Sequence, residues 1–111
     1  MAYQRITPVK LGQAAITGSI ATLYTVPAST RTLLKDIDIC NTTAGALTVD
    51  VHLVPSGGSA TTANALLYGY SINANATLQW TGTQVMNASD TIQVKASGLG
   101  CTITASGGEA V

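Results

Sequence analysis

Four residues of this chain are of the types that hold metals or move protons at close spacing: Asp36 and Asp38, then Asp50 and His52. Each pair is two residues apart, so on an extended strand both members point the same way. Carboxylates beside one imidazole can bind a divalent cation or act as acid and base. They lack the clustered loop of a dedicated calcium site and are accompanied by no Gly-rich phosphate loop or activated nucleophile. The expectation is solvent-facing strand positions, with no catalytic residue, no metal and no cofactor. Cys40 and Cys101 with a lone histidine cannot supply the ligands of a structural zinc. They can form a disulfide, but a cytosolically assembled protein leaves two free thiols, buried or half-buried. Tyr68, Tyr70 and Trp80 form the other chemical candidate: they serve the core or a contact with another subunit, or present an aromatic surface that stacks on sugars or bases.

The elements that carry these residues are strands. Short runs rich in β-branched residues alternate with Gly, Asn, Ser and Pro punctuation, and helical periodicity is hard to find. Strands are expected over Lys10 to Ala14, Ile20 to Val26, Leu33 to Cys40, Leu47 to Val54, Leu66 to Ile72, Thr77 to Thr81, Thr91 to Ala96 and Cys101 to Ala105. About eight short strands predict an all-β fold, an antiparallel two-sheet β-sandwich of jelly-roll or immunoglobulin-like type. Ile37, Ile39, Val49, Val51, Leu53, Leu78, Ile92, Val94 and Ile103 are its expected core. The third and fourth strands read as a hairpin with Ile39 opposite Leu47, because the other register sets Asp38 against Asp50. Its loop is Asn41 to Gly45, with Gly45 supplying an unusual backbone angle. Asn73-Ala74-Asn75-Ala76-Thr77-Leu78-Gln79 and Asn87-Ala88-Ser89-Asp90-Thr91-Ile92-Gln93 share one pattern and predict two equivalent corners.

A length of 111 residues sets one domain, 1–111, since neither half could bury a core alone. Charged residues are 9% and the net charge is +0, so no field gathers phosphates or an anionic membrane, and neither nucleic acid nor membrane is an expected partner. The first fifteen residues hold no apolar stretch of signal-peptide length, so secretory export is not expected. A hydrophobic fraction of 46% excludes a disordered chain, and a neutral, charge-poor surface favours association, including homo-oligomers. Residues 1–8 have Tyr3 and Ile6 as their sizeable apolar groups and are expected to form an extended arm. Tyr3, Arg5 and Ile6 are its expected contacts with a neighbouring chain.

Leu23-Tyr24-Thr25-Val26-Pro27-Ala28, Ile37-Asp38-Ile39-Cys40-Asn41-Thr42 with Thr48-Val49, Ala88-Ser89-Asp90-Thr91-Ile92-Gln93-Val94 and Ser106-Gly107-Gly108-Glu109 resemble a family. It comprises small all-β structural proteins of tailed-bacteriophage virions, in which a glycine usually stands where Ser89 does. The resemblance implies a virion component assembled in the host cytoplasm, a decoration or cement protein whose partners are the major capsid protein or other virion proteins. A neck or tail accessory protein and a glycan-binding host-attachment module are the alternatives. None of these is an enzyme.

Overall fold

The structure, a computed structural model, describes residues 5–110. Eight strands follow in order: β1 (Ile6–Ile16), β2 (Ala21–Thr25), β3 (Arg31–Asn41), β4 (Leu47–Val54), β5 (Ala65–Ile72), β6 (Thr77–Met86), β7 (Thr91–Ala96) and β8 (Cys101–Ala110). A 3-10 turn at Thr62–Asn64 precedes β5. Two four-stranded antiparallel sheets result, ordered β1-β8-β3-β6 (sheet A) and β2-β7-β4-β5 (sheet B). The pairs β1-β8, β2-β7, β3-β6 and β4-β5 nest inside one another, as a long hairpin does when it is rolled up. This is a jelly roll. An immunoglobulin-like sandwich pairs its strands in another order.

The expected β3-β4 hairpin does not form. β3 lies in sheet A between β8 and β6, and β4 lies in sheet B between β7 and β5. Matching apolar faces are satisfied equally well by stacking across a core as by pairing edge to edge, and here they stack. The loop between them does not need Gly45 at positive φ, because that angle occurs only at Gly57, Gly69 and Gly100 among the described glycines. Fully buried Asn41 holds the loop instead. Its Nδ2 donates to the Gly45 carbonyl (2.9 Å) and the Ile72 carbonyl (3.0 Å), while Oδ1 accepts from Thr43 N (2.9 Å) and Thr43 Oγ1 (2.7 Å). All of this side chain's hydrogen-bonding capacity is met inside the protein, the condition for burying an amide.

The repeated pattern makes two equivalent corners. Ala76 N donates to Asn73 O, and Asp90 N to Asn87 O, with the third residue, Asn75 (φ 58°) or Ser89 (φ 71°), in the left-handed region. Asn bears that conformation at small cost, and the glycine of the resembled family bears it at none. One corner carries the chain from sheet B to sheet A and the other carries it back.

Ile37, Ile39, Val49, Val51, Ile92, Val94 and Ile103 are buried as expected, together with Leu11, Ile16, Leu34, Ile72 and Met86. Leu53 and Leu78 are only half-buried, because they sit toward the open β5/β6 side. Of the expected 1–8 arm, residues 1–4 lie outside the described residues. Ile6, Thr7 and Pro8 belong to β1, paired with Ala110, Glu109 and Gly108. β8 runs to Ala110, five residues beyond its expected end at Ala105, and supplies the backbone partners that make an intrinsically weak segment a strand.

Candidate interaction surfaces

The outer face of sheet A carries an apolar patch. Register places Pro8, Gly108, Leu33 and Val85 in one row across all four strands, with Ile6, Ala110 and Arg31 in the next. Ile6 (56% exposed), Leu33, Val85 (58% exposed), Ala110 and Arg31 line a depression of about 280 Å3. Gly108 permits it, since a Cβ there would lie 2.6 Å from Ile6 Cγ2. Further along this sheet Lys35 Nζ donates to Thr83 Oγ1 (2.8 Å). Asp36 and Asp38 follow. A hydrogen bond that the protonated Asp38 carboxyl donates to Asp36, then partial burial and the Asp36 charge, raise the Asp38 carboxyl above its ordinary 3.8. Asp36 Oδ1 is buried without a hydrogen-bond partner.

Asp50 and His52 lie on the other sheet, so the four metal-type residues are not one cluster. Among the described residues no group of three or more His, Cys, Asp or Glu is placed to hold a metal ion. His52 is 5% exposed, beneath the segment around the 3-10 turn. Asn64 Nδ2 donates to Ser59 O (2.9 Å) and its Oδ1 accepts from Thr61 N (3.1 Å). That orientation makes His52 Nδ1 the donor to Asn64 Oδ1 (2.9 Å). Asp50 Oδ1 accepts from Gly69 N (2.7 Å), holding the β5 bulge.

That bulge separates the aromatic candidates. Leu67 pairs with inward Val51 and Tyr70 with inward Val49, so three residues span what normally takes two. Tyr68 therefore faces out, edge-on to His52 with ring centroids 6.5 Å apart, over a basin of about 340 Å3 shared with Asp50 and Lys95. Tyr70 turns to the β5/β6 seam. Trp80 pairs with Ile37 and lies half-buried on the inner face of sheet A, its ring 3.1 Å from where a Gly82 Cβ would stand. The three rings do not share one surface. Tyr3 lies outside the described residues, and Arg5 is exposed just before β1.

A polar tie joins the sheets near β2. Tyr24 Oη donates to Glu109 Oε2 (2.5 Å) and lies 2.7 Å from Thr32 Oγ1. Burial, then the Glu109 hydrogen bond, pushes the Tyr24 phenol up to about 12. Thr32 and Glu109 are cross-strand neighbours, which gives the acidic residue of the Ser106–Glu109 motif a structural role. Cys40 is half-buried and Cys101 buried, both as free thiols. Burial and then the nearby Cys40 raise the Cys101 thiol.

No protein-family model matches the chain, and no curated protein does. Solved structures do. A chain of the T13 particle of infectious bursal disease virus matches with TM-score 0.54 at 14% identity, over 96% of this chain and 30% of that one. The Gx strain of the same virus gives 0.51 at 14%, over 96% and 32%. A chain from Bacillus endospore appendages, described as disulfide-linked pili, gives 0.51 at 13%, over 100% of this chain and 94% of that one. This chain thus spans under a third of the viral chains it matches. At such identities the likeness is one of fold. The Ile6/Leu33/Val85 patch escaped sequence reading because its members come from three distant segments; the hint available was an apolar residue at an outward strand position.

Proposed function

We propose that the chain is a structural component of a tailed-bacteriophage particle, a decoration protein that docks on the capsid lattice through the outer face of sheet A. The apolar depression of Ile6, Leu33, Val85 and Ala110 carries this reading. Exposed apolar ground rimmed by polar residues marks interaction sites, and a neutral jelly roll can cover seams between capsomers without a repulsive field. The protein adds buried area to the shell and no chemistry, so in this reading it is not an enzyme. The sequence resemblance supports the phage assignment, and the shared fold of the viral-particle chains supports a shell role.

A fibre subunit is the second reading, favoured by the spore-pilus match across the whole of this chain. Against it, Cys40 is half-buried and Cys101 buried, poorly placed for links between subunits. A neck or tail position would use the same surface. A glycan platform is less well supported, since its three rings are dispersed.

The test is add-back of purified protein to particles lacking it, with occupancy measured in dilute buffer and at about 1 M salt. Occupancy should survive salt, because apolar contact is not screened, and Val85→Lys should lose it while folding normally. Release by salt, or full occupancy by Val85→Lys, would overturn the reading.

A further inference from the structure

The two side walls of the sandwich are built differently. The β1/β2 wall is guarded: β1 carries Pro8 and Lys10, and β2 is only five residues long. Proline, lysine and short strands are the usual protections of a sheet edge. On the opposite wall neither the eight residues of β5 nor the ten of β6 include a charge or a proline. Crevices of about 210 and 440 Å3 open the seam between these strands, lined by Tyr70 and Leu78 in one and Leu53 and Leu66 in the other. β5 is broken by its bulge. β6 pairs regularly with β3 from Thr77 to Thr81, so its free edge is straight there.

We propose that this edge takes the β6 of a second copy, in an antiparallel pair about a two-fold axis at Gln79. This arrangement is self-complementary. Gln79 faces Gln79 of the second copy, Thr77 faces its Thr81, and on the inner face Leu78 meets its Trp80. Aromatic–aliphatic and Thr–Thr pairs are favourable cross-strand neighbours, and no like charges meet on the paired strands. The two A sheets become one eight-stranded sheet. The five paired residues extend about 17 Å, and the molecule's smallest dimension is 18 Å. Such a strip offers on the order of 300 Å2 per copy, under the roughly 800 Å2 per partner of a stable interface, so the pair is a weak, concentration-dependent one. The outer-face patch proposed for the lattice remains uncovered, so the dimer and the docking reading stand or fall separately.

The experiment uses the full chain in solution. Sedimentation should show a monomer–dimer equilibrium below about 1 mM, with amide exchange in Thr77–Thr81 slowing as the dimer fills. Gln79→Lys sets like charges opposite each other across the axis, while Asp38 beside it keeps the single chain stable. It should weaken the dimer at least about tenfold. Gln79→Cys should give a disulfide-linked dimer under mild oxidation, and Thr22→Cys on the guarded wall should not. A parent chain monomeric up to about 1 mM, a Gln79→Lys variant that dimerises normally, or a Gln79→Cys variant that links no more than Thr22→Cys would overturn the proposal. If the chain is monomeric yet occupies particles, the dimer alone is wrong. If it dimerises yet ignores particles, the docking reading alone is wrong.

Discussion

Replacing Gly107 by alanine tests whether the Ser106–Glu109 motif exists for backbone packing. Gly107 lies in β8 between Val9 of β1 and Leu34 of β3. A Cβ there would stand 1.9 Å from the Leu33 carbonyl oxygen and 3.0 Å from its carbon, where ordinary contact begins at 3.4 Å. Both atoms are backbone, so β3 must retreat by about 1.5 Å. A hydrogen bond of about 2.9 Å cannot survive that displacement. Losing two ladder bonds at about 1 kcal/mol each, and leaving one buried group unpaired at about 1–3 kcal/mol, gives about 3–5 kcal/mol. The whole stability of a domain is about 5–15 kcal/mol. Gly108→Ala is the internal control. Its Cβ would meet Ile6 Cγ2 at 2.6 Å, a branch methyl of an exposed side chain that a change of χ1 at the start of β1 carries away, so its cost should stay at about 1 kcal/mol. Urea unfolding and calorimetry read both, and at about 4–8 °C per kcal/mol the Gly107 variant should melt at least about 12 °C lower. Equal effects at the two glycines, or a Gly107 variant within about 1 kcal/mol of the parent, would refute the close-approach account.

Ile39→Ala, at a fully buried site, should cost about 2–4 kcal/mol by urea unfolding, and Leu53→Ala, half-buried near the open seam, clearly less. One of the four tyrosines should resist ionisation in a spectrophotometric titration until about pH 12, and Tyr24→Phe should remove that step. Because the folded state holds this proton longer than the unfolded chain, Tyr24 makes stability fall as pH rises from 10 toward about 12. Asp38 has the same sign at acid pH. Its raised carboxyl costs nothing below 3.8 and destabilises as pH rises through its folded value, so Asp38→Asn should melt higher than the parent at pH 7 and equally at pH 3.

The amino-acid sequence determined the strands, the inward faces of most of them and the corner turns. These depend on local physics, the two-residue period of an extended chain and the few residue types that tolerate positive φ. Eight strands were legible for that reason, as were the matching corners at Asn73 and Asn87. Partner choice was not legible. Ile37 and Ile39 face Val49 and Val51 across the core instead of pairing beside them, and no local term separates those outcomes, because both bury the same side chains. The candidate sites divide the same way. Arg5, Ile6, Tyr68, Tyr70 and Trp80 could be named as groups that contact something. That Ile6 joins Leu33 and Val85, that a bulge at Gly69 turns Tyr68 away from Tyr70, and that Trp80 faces inward depend on which strands became neighbours. Tertiary packing alone decides that, since hydrogen-bonded register across four strands couples residues up to about a hundred positions apart in the chain.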